Sequence, residues 1–259
     1  MGHTTENFDK VLVFVAHPDD ESIACAGLMQ RAKRPLVVFA VDGAPPHYGF
    51  ENRFGSLRSY SDHRFREAAT ALAALPLCSF RRLTRQDGTG FVDQHLFLEM
   101  PEAFASLLQI TREFSPDWIV SHAFEGGHLD HDACHVLAKQ VAVTLNVKSL
   151  EFPLYWRTAR GNDCFQRFRE DRQNQFTLEL SGQELALKRR MLAEYKSQRG
   201  LTSVFQPEIE RFRPLAGGED CAKASWSEYP FENLCKPWTA DLFFEKIAAF
   251  QSHCAHPGP

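Results

Sequence analysis

Short apolar runs and amphipathic stretches alternate along the first 156 residues of the chain. Residues 10–16 and 35–41 are almost continuously hydrophobic, which is typical of strands buried on both faces. Between them, residues 21–34 carry Ile23, Leu28 and Met29 on one side and basic side chains near the end, which predicts a helix. This order predicts a β-α-β unit with parallel strands and a right-handed crossover.

The same alternation continues and predicts an α/β fold. Further helices are expected over residues 62–75, 101–114 and 131–145, and further strands over 77–83, 117–121 and 150–156. Residues 42–61 are typical of a long loop, and the remaining chain predicts a helix over 181–198, loops and short strands over 201–238, and a last helix over 241–251.

No shift in composition marks a linker, so we predict one domain over residues 1–259. Its core, about residues 10–156, is expected to be a Rossmann-like, doubly wound and mainly parallel sheet. The loop-rich extension, about residues 157–259, is expected to complete the substrate side.

Composition and charge exclude several classes of protein. The 259 residues are 44% hydrophobic and 24% charged, as in ordinary globular proteins, and the net charge of -4 favours neither nucleic acid nor anionic membrane as a partner. No apolar run approaches the length of a membrane span, and the polar N-terminus resembles no secretory signal. Seven widely spaced cysteines without a C-x-x-C motif argue against a disulfide framework. These features predict a reduced, cytoplasmic enzyme or binding protein.

A histidine and three acidic residues crowd the end of the first predicted strand. Residues 16–21 read AHPDDE and contain His17, Asp19, Asp20 and Glu21. In open α/β sheets ligands bind at the carboxyl edge of the strands, which is where this segment is predicted to lie. Carboxylates packed this closely repel one another unless a cation joins them, so the segment indicates a site.

A second polar cluster follows the strand predicted at residues 117–121, at the same edge of the sheet. Residues 122–135 contain four histidines, and Gly126 and Gly127 allow a close approach of the backbone. Imidazole nitrogens together with carboxylates suit Zn²⁺, and catalytic zinc keeps three protein ligands and one open position. The two clusters therefore predict a site for one Zn²⁺ ion, with other divalent metals left open.

The two motifs together resemble those of the PIG-L/LmbE-like zinc-dependent N-deacetylases. AHPDDE at residues 16–21 and EGGHLDH at 125–131 carry the resemblance. It extends over about residues 10–215 through VFAVDG, HRFREAATALAAL, KRRMLAEYKSQ and ERFRPL. The family removes acetyl or related acyl groups from amines, most often on amino sugars.

The resemblance implies roles for individual residues. His17, Asp20 and His131 are expected to be the metal ligands, and Asp19 the general base for the attacking water. His128, as a cation, is expected to stabilise or protonate the tetrahedral intermediate. Whether Asp19 or His128 protonates the leaving amine is left open.

Three further positions are read from the same resemblance. Asp130 is expected to orient a histidine, and Asp42 to lie on the substrate side. Gly126 stands where some members carry a tyrosine that assists the oxyanion, so any such help must come from elsewhere.

The expected activity is hydrolysis of the amide of a small N-acyl molecule. The expected substrate is an N-acetylated amino sugar or a glycosylated natural product. A homo-oligomeric state is left open. Side chains expected at the substrate are the loop arginines Arg53, Arg58 and Arg64 and the loop phenylalanines Phe50, Phe54, Phe91 and Phe124. Two alternatives remain. One is a metalloprotease-like use of His131 and His135, and the other is a non-catalytic sugar-binding protein with the same fold.

Overall fold

A central sheet organises the molecule. The computed structural model describes residues 8–158, 160–170, 174–215, 232 and 235–255. Its strands are β1 (Lys10–Val15), β2 (Arg34–Phe39), β3 (Ser79–Arg82), β4 (Trp118–His122), β5 (Lys148–Phe152), β6 (Tyr155–Arg157), β7 (Asp163–Phe165), β8 (Phe176–Leu178) and β9 (Glu210–Pro214). Seven of them form one sheet in the order β3-β2-β1-β4-β5-β9-β8, while β6 and β7 pair separately.

The sheet is mainly parallel. Strands β1 to β5 run parallel to their neighbours, with Val13 opposite both Val37 and Val120, and β9 and β8 are added antiparallel beyond β5. The order reverses direction at β1, as in doubly wound folds, so the predicted fold class is confirmed. β1 is apolar throughout because both of its faces are covered: Val13 packs in one core cluster and Phe14 in the other.

Helices cover both faces of the sheet. They are α1 (Asp20–Ala24), α2 (Ala26–Arg31), α3 (Phe50–Phe54), α4 (Leu57–Leu72), α5 (Met100–Phe114), α6 (Leu129–Leu145), α7 (Gly182–Glu194), α8 (Arg199–Thr202) and α9 (Ala240–Ala255). Helices α5, α6 and α9 bury their apolar side chains in one cluster, and α1, α2, α4 and α7 contribute to the other. None of the helices in the described residues is long and apolar enough to cross a membrane.

The prediction of one continuous helix over residues 21–34 is wrong, because the structure has two short helices there and the second ends at Arg31. The two helices meet at Cys25, because the first N–H groups of α2, those of Gly27 and Leu28, donate to the carboxylate of Glu210 at 2.7 and 3.1 Å. Arg34 opens β2 rather than ending a helix, since its N–H donates to the carbonyl of Asp9 at 2.8 Å.

The predicted loop over residues 42–61 contains α3 and the first turn of α4. Ser56 explains the early start of α4, because its Oγ accepts the N–H of Ser59 at 3.0 Å and so caps the helix. The helix expected over 62–75 therefore begins at Leu57, and the helix expected over 131–145 likewise begins at Leu129.

The strand predicted over residues 150–156 is two strands. β5 ends at Phe152, and Pro153, which has no N–H, separates it from β6. β6 then pairs with β7 as a hairpin outside the main sheet. The helix predicted over 181–198 ends at Glu194 and continues as a single 3₁₀ turn, Lys196–Gln198. Within residues 201–238, predicted as loops and short strands, residues 216–231 and 233–234 lie outside the described residues, and the described part contains the end of α8 and the strand β9.

Candidate active site

A cavity of about 400 Å³ opens at the carboxyl edge of the sheet. Its floor is polar and is formed after β1, β3 and β4 by His17, Asp19, Asp20, Asp93, His128 and His131. Both predicted clusters therefore meet at one site, as the parallel topology requires. Aromatic and aliphatic side chains form the walls, among them Tyr48, Phe50, Tyr60, Tyr155 and Phe205.

Three donor atoms on the floor form a small triangle. His17 Nδ1 lies 3.2 Å from His131 Nε2 and 3.4 Å from Asp20 Oδ2, and His131 Nε2 lies 3.5 Å from the same oxygen. A tetrahedral zinc ion that holds its ligands at about 2.0–2.1 Å separates them by about 3.3 Å. The triangle thus has the size and the nitrogen-oxygen chemistry that such an ion requires.

Two carboxylates orient the ring of His17. Its Nε2 lies 3.4 Å from Asp93 Oδ1 and 3.6 Å from Asp130 Oδ2, so Nδ1 turns towards the triangle. Burial lowers the pKa of His17, but Asp93, Asp130 and Asp20 outweigh it and raise that pKa well above its usual value. The floor therefore attracts a cation, and a proton on His17 and a metal ion would compete for the same place.

Asp130 is fixed in turn by the loop that precedes α5. Its carboxylate accepts the N–H of Gln94 at 2.6 Å and that of Leu96 at 3.3 Å. Its position beside His17 is the one expected for a residue that orients a histidine, and this role stays a prediction.

His122 lies next to the triangle, with its Nε2 3.5 Å from Asp20 Oδ2. Its ring stacks on that of His131 with 4.1 Å between the ring centroids. Its Nε2 also accepts the N–H of Ala16 at 3.1 Å, a hydrogen bond that a metal at this nitrogen would have to displace. The described residues contain three overlapping groups of side chains able to hold a metal, and each group shares at least one residue with the triangle.

His128 begins α6 and faces the cavity. Its Nδ1 accepts the N–H of Asp130 at 3.2 Å, so the proton of the neutral ring sits on Nε2. Burial, reinforced by His17, lowers the pKa of His128 to about 4. In the neutral form that this lowered pKa favours, His128 offers an N–H donor at Nε2, and its role towards the tetrahedral intermediate stays a prediction.

Asp19 lines the cavity beside the triangle and is almost fully buried. Burial raises its pKa to about 8, although the guanidinium of Arg64 lowers it. Arg64 Nη2 lies 3.2 Å from Asp19 Oδ2, and the same guanidinium donates to the carbonyls of Gly43 and Pro18, each at 2.8 Å. Arg64 therefore ties the loops after β1 and β2 together and holds the carboxylate of Asp19, and it also lines the cavity.

Asp42 lies behind the cavity rather than in its lining. Its Oδ1 accepts the N–H of Ala44 at 3.1 Å and that of Asp93 at 3.0 Å. Burial raises the pKa of Asp42 to about 6. Because Asp42 holds the backbone N–H of Asp93, it affects the site only by positioning Asp93.

The structure does not bring Arg53, Arg58 or Phe124 to the cavity. Arg53 and Arg58 are exposed because α3 and the first turn of α4 point them to solvent, and the Arg53 guanidinium lies over the ring of Phe54. Phe124 packs against Phe243 and Phe244 of α9 and does not line the cavity. Their predicted substrate contacts are corrected accordingly.

Of the other loop phenylalanines, Phe50 lines the cavity, whereas Phe91 is fully buried in the core. Phe54 packs against Tyr60 and His63.

Two residues of the site carry no motif in the sequence. Asp93 follows β3 and reaches the floor because the backbone around it bonds to Asp42. Tyr155 of β6 stands over His131, with 5.3 Å between the ring centroids, and a Cβ built on Gly127 would lie 2.1 Å from its backbone oxygen. The only signal for Asp93 is that the loop after β3 must reach the same edge as the two motifs.

The geometry argues against the metalloprotease-like alternative. His135 Nδ1 lies 3.0 Å from the carbonyl of His122 and 3.2 Å from Glu151 Oε2, away from the triangle. Asp132, which that reading makes the base, accepts the N–H groups of Glu125 and Gly126 at 2.8 and 2.9 Å. Both side chains are thus engaged within the fold.

Comparison with known proteins identifies a family. The model of the family PIG-L: GlcNAc-PI de-N-acetylase matches residues 12–142. A 1D-myo-inositol 2-acetamido-2-deoxy-alpha-D-glucopyranoside deacetylase of Kineococcus radiotolerans is 29% identical over 157 residues, which are 49% of this chain and 42% of that protein. The chain thus matches less than half of the length of this relative.

Solved structures share the fold. A deacetylase triple mutant involved in the teicoplanin biosynthetic pathway superposes with a TM-score of 0.63 at 19% identity, over 82% of this chain and 99% of that one. The N,N'-diacetylchitobiose deacetylase of Pyrococcus horikoshii gives 0.56 at 16% identity, over 80% and 84%. The matched stretch holds AHPDDE, HLDH and the strands that carry them, and on that ground the chain belongs to the PIG-L family.

Proposed function

We propose that this protein is a zinc-dependent hydrolase that removes an acetyl or other acyl group from the amine of a small molecule. The observation that carries the proposal is the triangle of His17 Nδ1, Asp20 Oδ2 and His131 Nε2 with the carboxylate of Asp19 beside it on a cavity floor. These three residues would hold one divalent ion, and Zn²⁺ fits the donor set best.

The substrate we propose is an N-acetylated amino sugar or a glycosylated natural product. The relatives named above are deacetylases of an acetamido-glucopyranoside, of the teicoplanin pathway and of N,N'-diacetylchitobiose, which supports this class. Exposed apolar side chains line the cavity, with Tyr48 50% exposed, Leu201 46% and Val204 45%. An apolar part of the substrate would lie against them.

The chemistry divides among the residues of the floor. When bound, Zn²⁺ supplies Lewis acidity, which activates water and polarises an amide carbonyl. Asp19 is the base that takes the proton of the attacking water on its carboxylate. Of the other acidic residues in the lining, Asp20 belongs to the triangle, Asp93 faces His17, and Asp163 pairs with Arg157 at 2.7 Å. His128 donates its Nε2–H towards the carbonyl oxygen as negative charge develops there. The proton held by Asp19 is then available to the leaving amine.

The test joins metal analysis to an assay of amine release. Purified protein should contain about one zinc per chain and release amine and acetate from members of a panel of N-acetylated sugars. Asp19→Asn should keep the metal and lose at least about 100-fold in kcat, since removal of a positioned base costs this much. Metal-loaded protein that stays inert towards the whole panel would instead favour the non-catalytic sugar-binding alternative. The cytoplasmic location and a homo-oligomeric state stay predictions from the sequence.

A further inference from the structure

The backbone of Asp19 adopts a conformation that residues with a side chain rarely adopt. Its φ is 141° and its ψ is -31°. For an L-residue this places Cβ against the backbone, and such conformations persist only where the surroundings impose them. Asp19 is 1% exposed, so the groups that impose it are buried with it.

Both backbone polar groups of Asp19 are engaged. Its carbonyl accepts the N–H groups of Ser22 and Ile23, each at 3.0 Å, which begins α1. Its N–H donates to Oε2 of Glu21 at 3.1 Å. The side chain of Glu21 thus turns back on its own chain and meets the residue two positions before it.

Glu21 is itself fixed from the other side. Its Oε1 accepts the hydroxyl of Ser22 at 2.5 Å and that of Tyr195, which follows α7. Glu21 and Tyr195 are 0% and 1% exposed. A buried chain of hydrogen bonds therefore runs from the end of α7 through Glu21 to the backbone of Asp19.

We infer that Glu21, held by Tyr195, is a positioning residue that keeps Asp19 in its positive-φ conformation and so aims the Asp19 carboxylate at the cavity. The inference rests on the proposed role of Asp19 as the base. Without an acceptor at position 21 the buried N–H of Asp19 loses its partner, and a return to negative φ both relieves the strain and turns the carboxylate away.

The backbone strain at Asp19 can be measured without an activity assay. Asp19→Gly and Asp19→Ala both remove the carboxylate, and they differ only in the Cβ. Glycine is ordinarily the less stable of the two, whereas at a positive φ alanine carries the strain and the order is reversed. We therefore expect Asp19→Gly to melt at a higher temperature than Asp19→Ala in the otherwise native chain.

The same pair in a Glu21→Leu background tests the role of Glu21. Leucine fills similar space without an acceptor, so the backbone relaxes and Asp19→Gly should no longer exceed Asp19→Ala in melting temperature. The same advantage of glycine in both backgrounds would overturn the inference. Glu210→Gln is the matched control, because Glu210 is a buried carboxylate that accepts the N–H groups of Gly27 and Leu28 but does not contact Asp19. In that background the advantage of glycine should persist.

Kinetics give a second measurement on the metal-loaded enzyme. Glu21→Leu should lower kcat by roughly 30-fold or more with KM and zinc content within about twofold, since a displacement of about 1 Å at a reacting group has effects of this order. Glu21→Gln keeps one oxygen for the N–H of Asp19, and the hydroxyls of Ser22 and Tyr195 can accept from its amide, so it should recover most of kcat. Glu21→Leu with native kcat, or Glu21→Gln as impaired as Glu21→Leu, would contradict the inference.

A milder variant covers the case in which Glu21→Leu does not fold. Tyr195→Phe removes only the hydroxyl that donates to Glu21. It should lower kcat by roughly 3-fold to 10-fold, and it should also reduce the difference by which Asp19→Gly melts above Asp19→Ala. Unchanged values of both would contradict the inference. If the native protein has no deacetylase activity, the proposed function fails, whereas the melting temperatures still decide whether Glu21 holds the backbone of Asp19.

Discussion

Replacement of Gly127 by alanine is the sharpest test of how the site is positioned. Gly127 precedes His128, and a Cβ built on it would lie 2.1 Å from the backbone oxygen of Tyr155 and 3.2 Å from Tyr155 Cδ2. The first of these contacts is with the backbone, so no rotation of a side chain can relieve it. The loop that carries His128 and the strand β6 must therefore move apart.

The required movement sets the size of the effect. The gap must open by about 1.3 Å to reach an ordinary van der Waals contact of 3.4 Å. Overpacking of this kind costs about 1–3 kcal/mol, or roughly 2–12 °C in melting temperature for a chain of this length. A shift of about 1 Å in His128 or Tyr155 should also lower kcat/KM by roughly 100-fold.

Thermal unfolding and deacetylation of an N-acetyl sugar measure the two effects. Gly182→Ala is the matched control, because its Cβ meets nothing within 4 Å at the start of α7 and alanine favours the helix. Gly182→Ala should melt at the native temperature or above it. Native stability and activity in Gly127→Ala would show that the close approach of Gly127 to β6 does not position the site.

Three further outcomes are expected. His17→Ala and His131→Ala should lose bound zinc and activity by elemental analysis and assay, whereas His135→Ala should keep the metal; the opposite pattern would revive the metalloprotease-like reading. Removal of the metal with a chelator should lower the free energy of unfolding by about 2.7 kcal/mol relative to protein in metal at 100 times Kd, and an unchanged melting temperature would refute this. The hydrogen bond from Arg31 lowers the pKa of Glu184 to about 2, so the stabilisation it gives is present above pH 4.5 and is lost as the pH falls towards 2. Glu184→Gln should therefore unfold with a weaker dependence on pH between 5 and 2 than the native chain, and identical acid profiles would contradict it.

The fold was predictable where one short stretch of sequence decides the structure. β1, β2 and β4 follow from runs of apolar residues that suit strands covered on both faces, and the parallel order follows from the helices between them. The break at Cys25 was not predictable in this way. It depends on the carboxylate of Glu210, about 180 residues away, which accepts the first N–H groups of α2.

The same division applies to the site. His17, Asp20 and His131 lie in motifs whose spacing already indicates a metal, and the structure places their donor atoms together. Asp93 has no motif, because its place is set by a backbone bond to Asp42, which is 51 residues away. Arg64 lies within the helix predicted over residues 62–75, but its burial was not predictable, because it depends on the carbonyls of Gly43 and Pro18 and on the carboxylate of Asp19, which lie in other segments.

The pairing of β1 with β4 also determines when the site can exist. His17 and His131 are 114 residues apart in sequence, yet their ring nitrogens lie 3.2 Å apart because Val13 and Val120 are neighbours in the sheet. Such a long-range contact forms only after the loop between the two strands has closed. A ribosome that has released the AHPDDE segment must therefore add more than a hundred further residues before the triangle can form. Until then the chain carries its acidic residues as separate, hydrated groups, and high affinity for a metal ion arises together with the finished sheet.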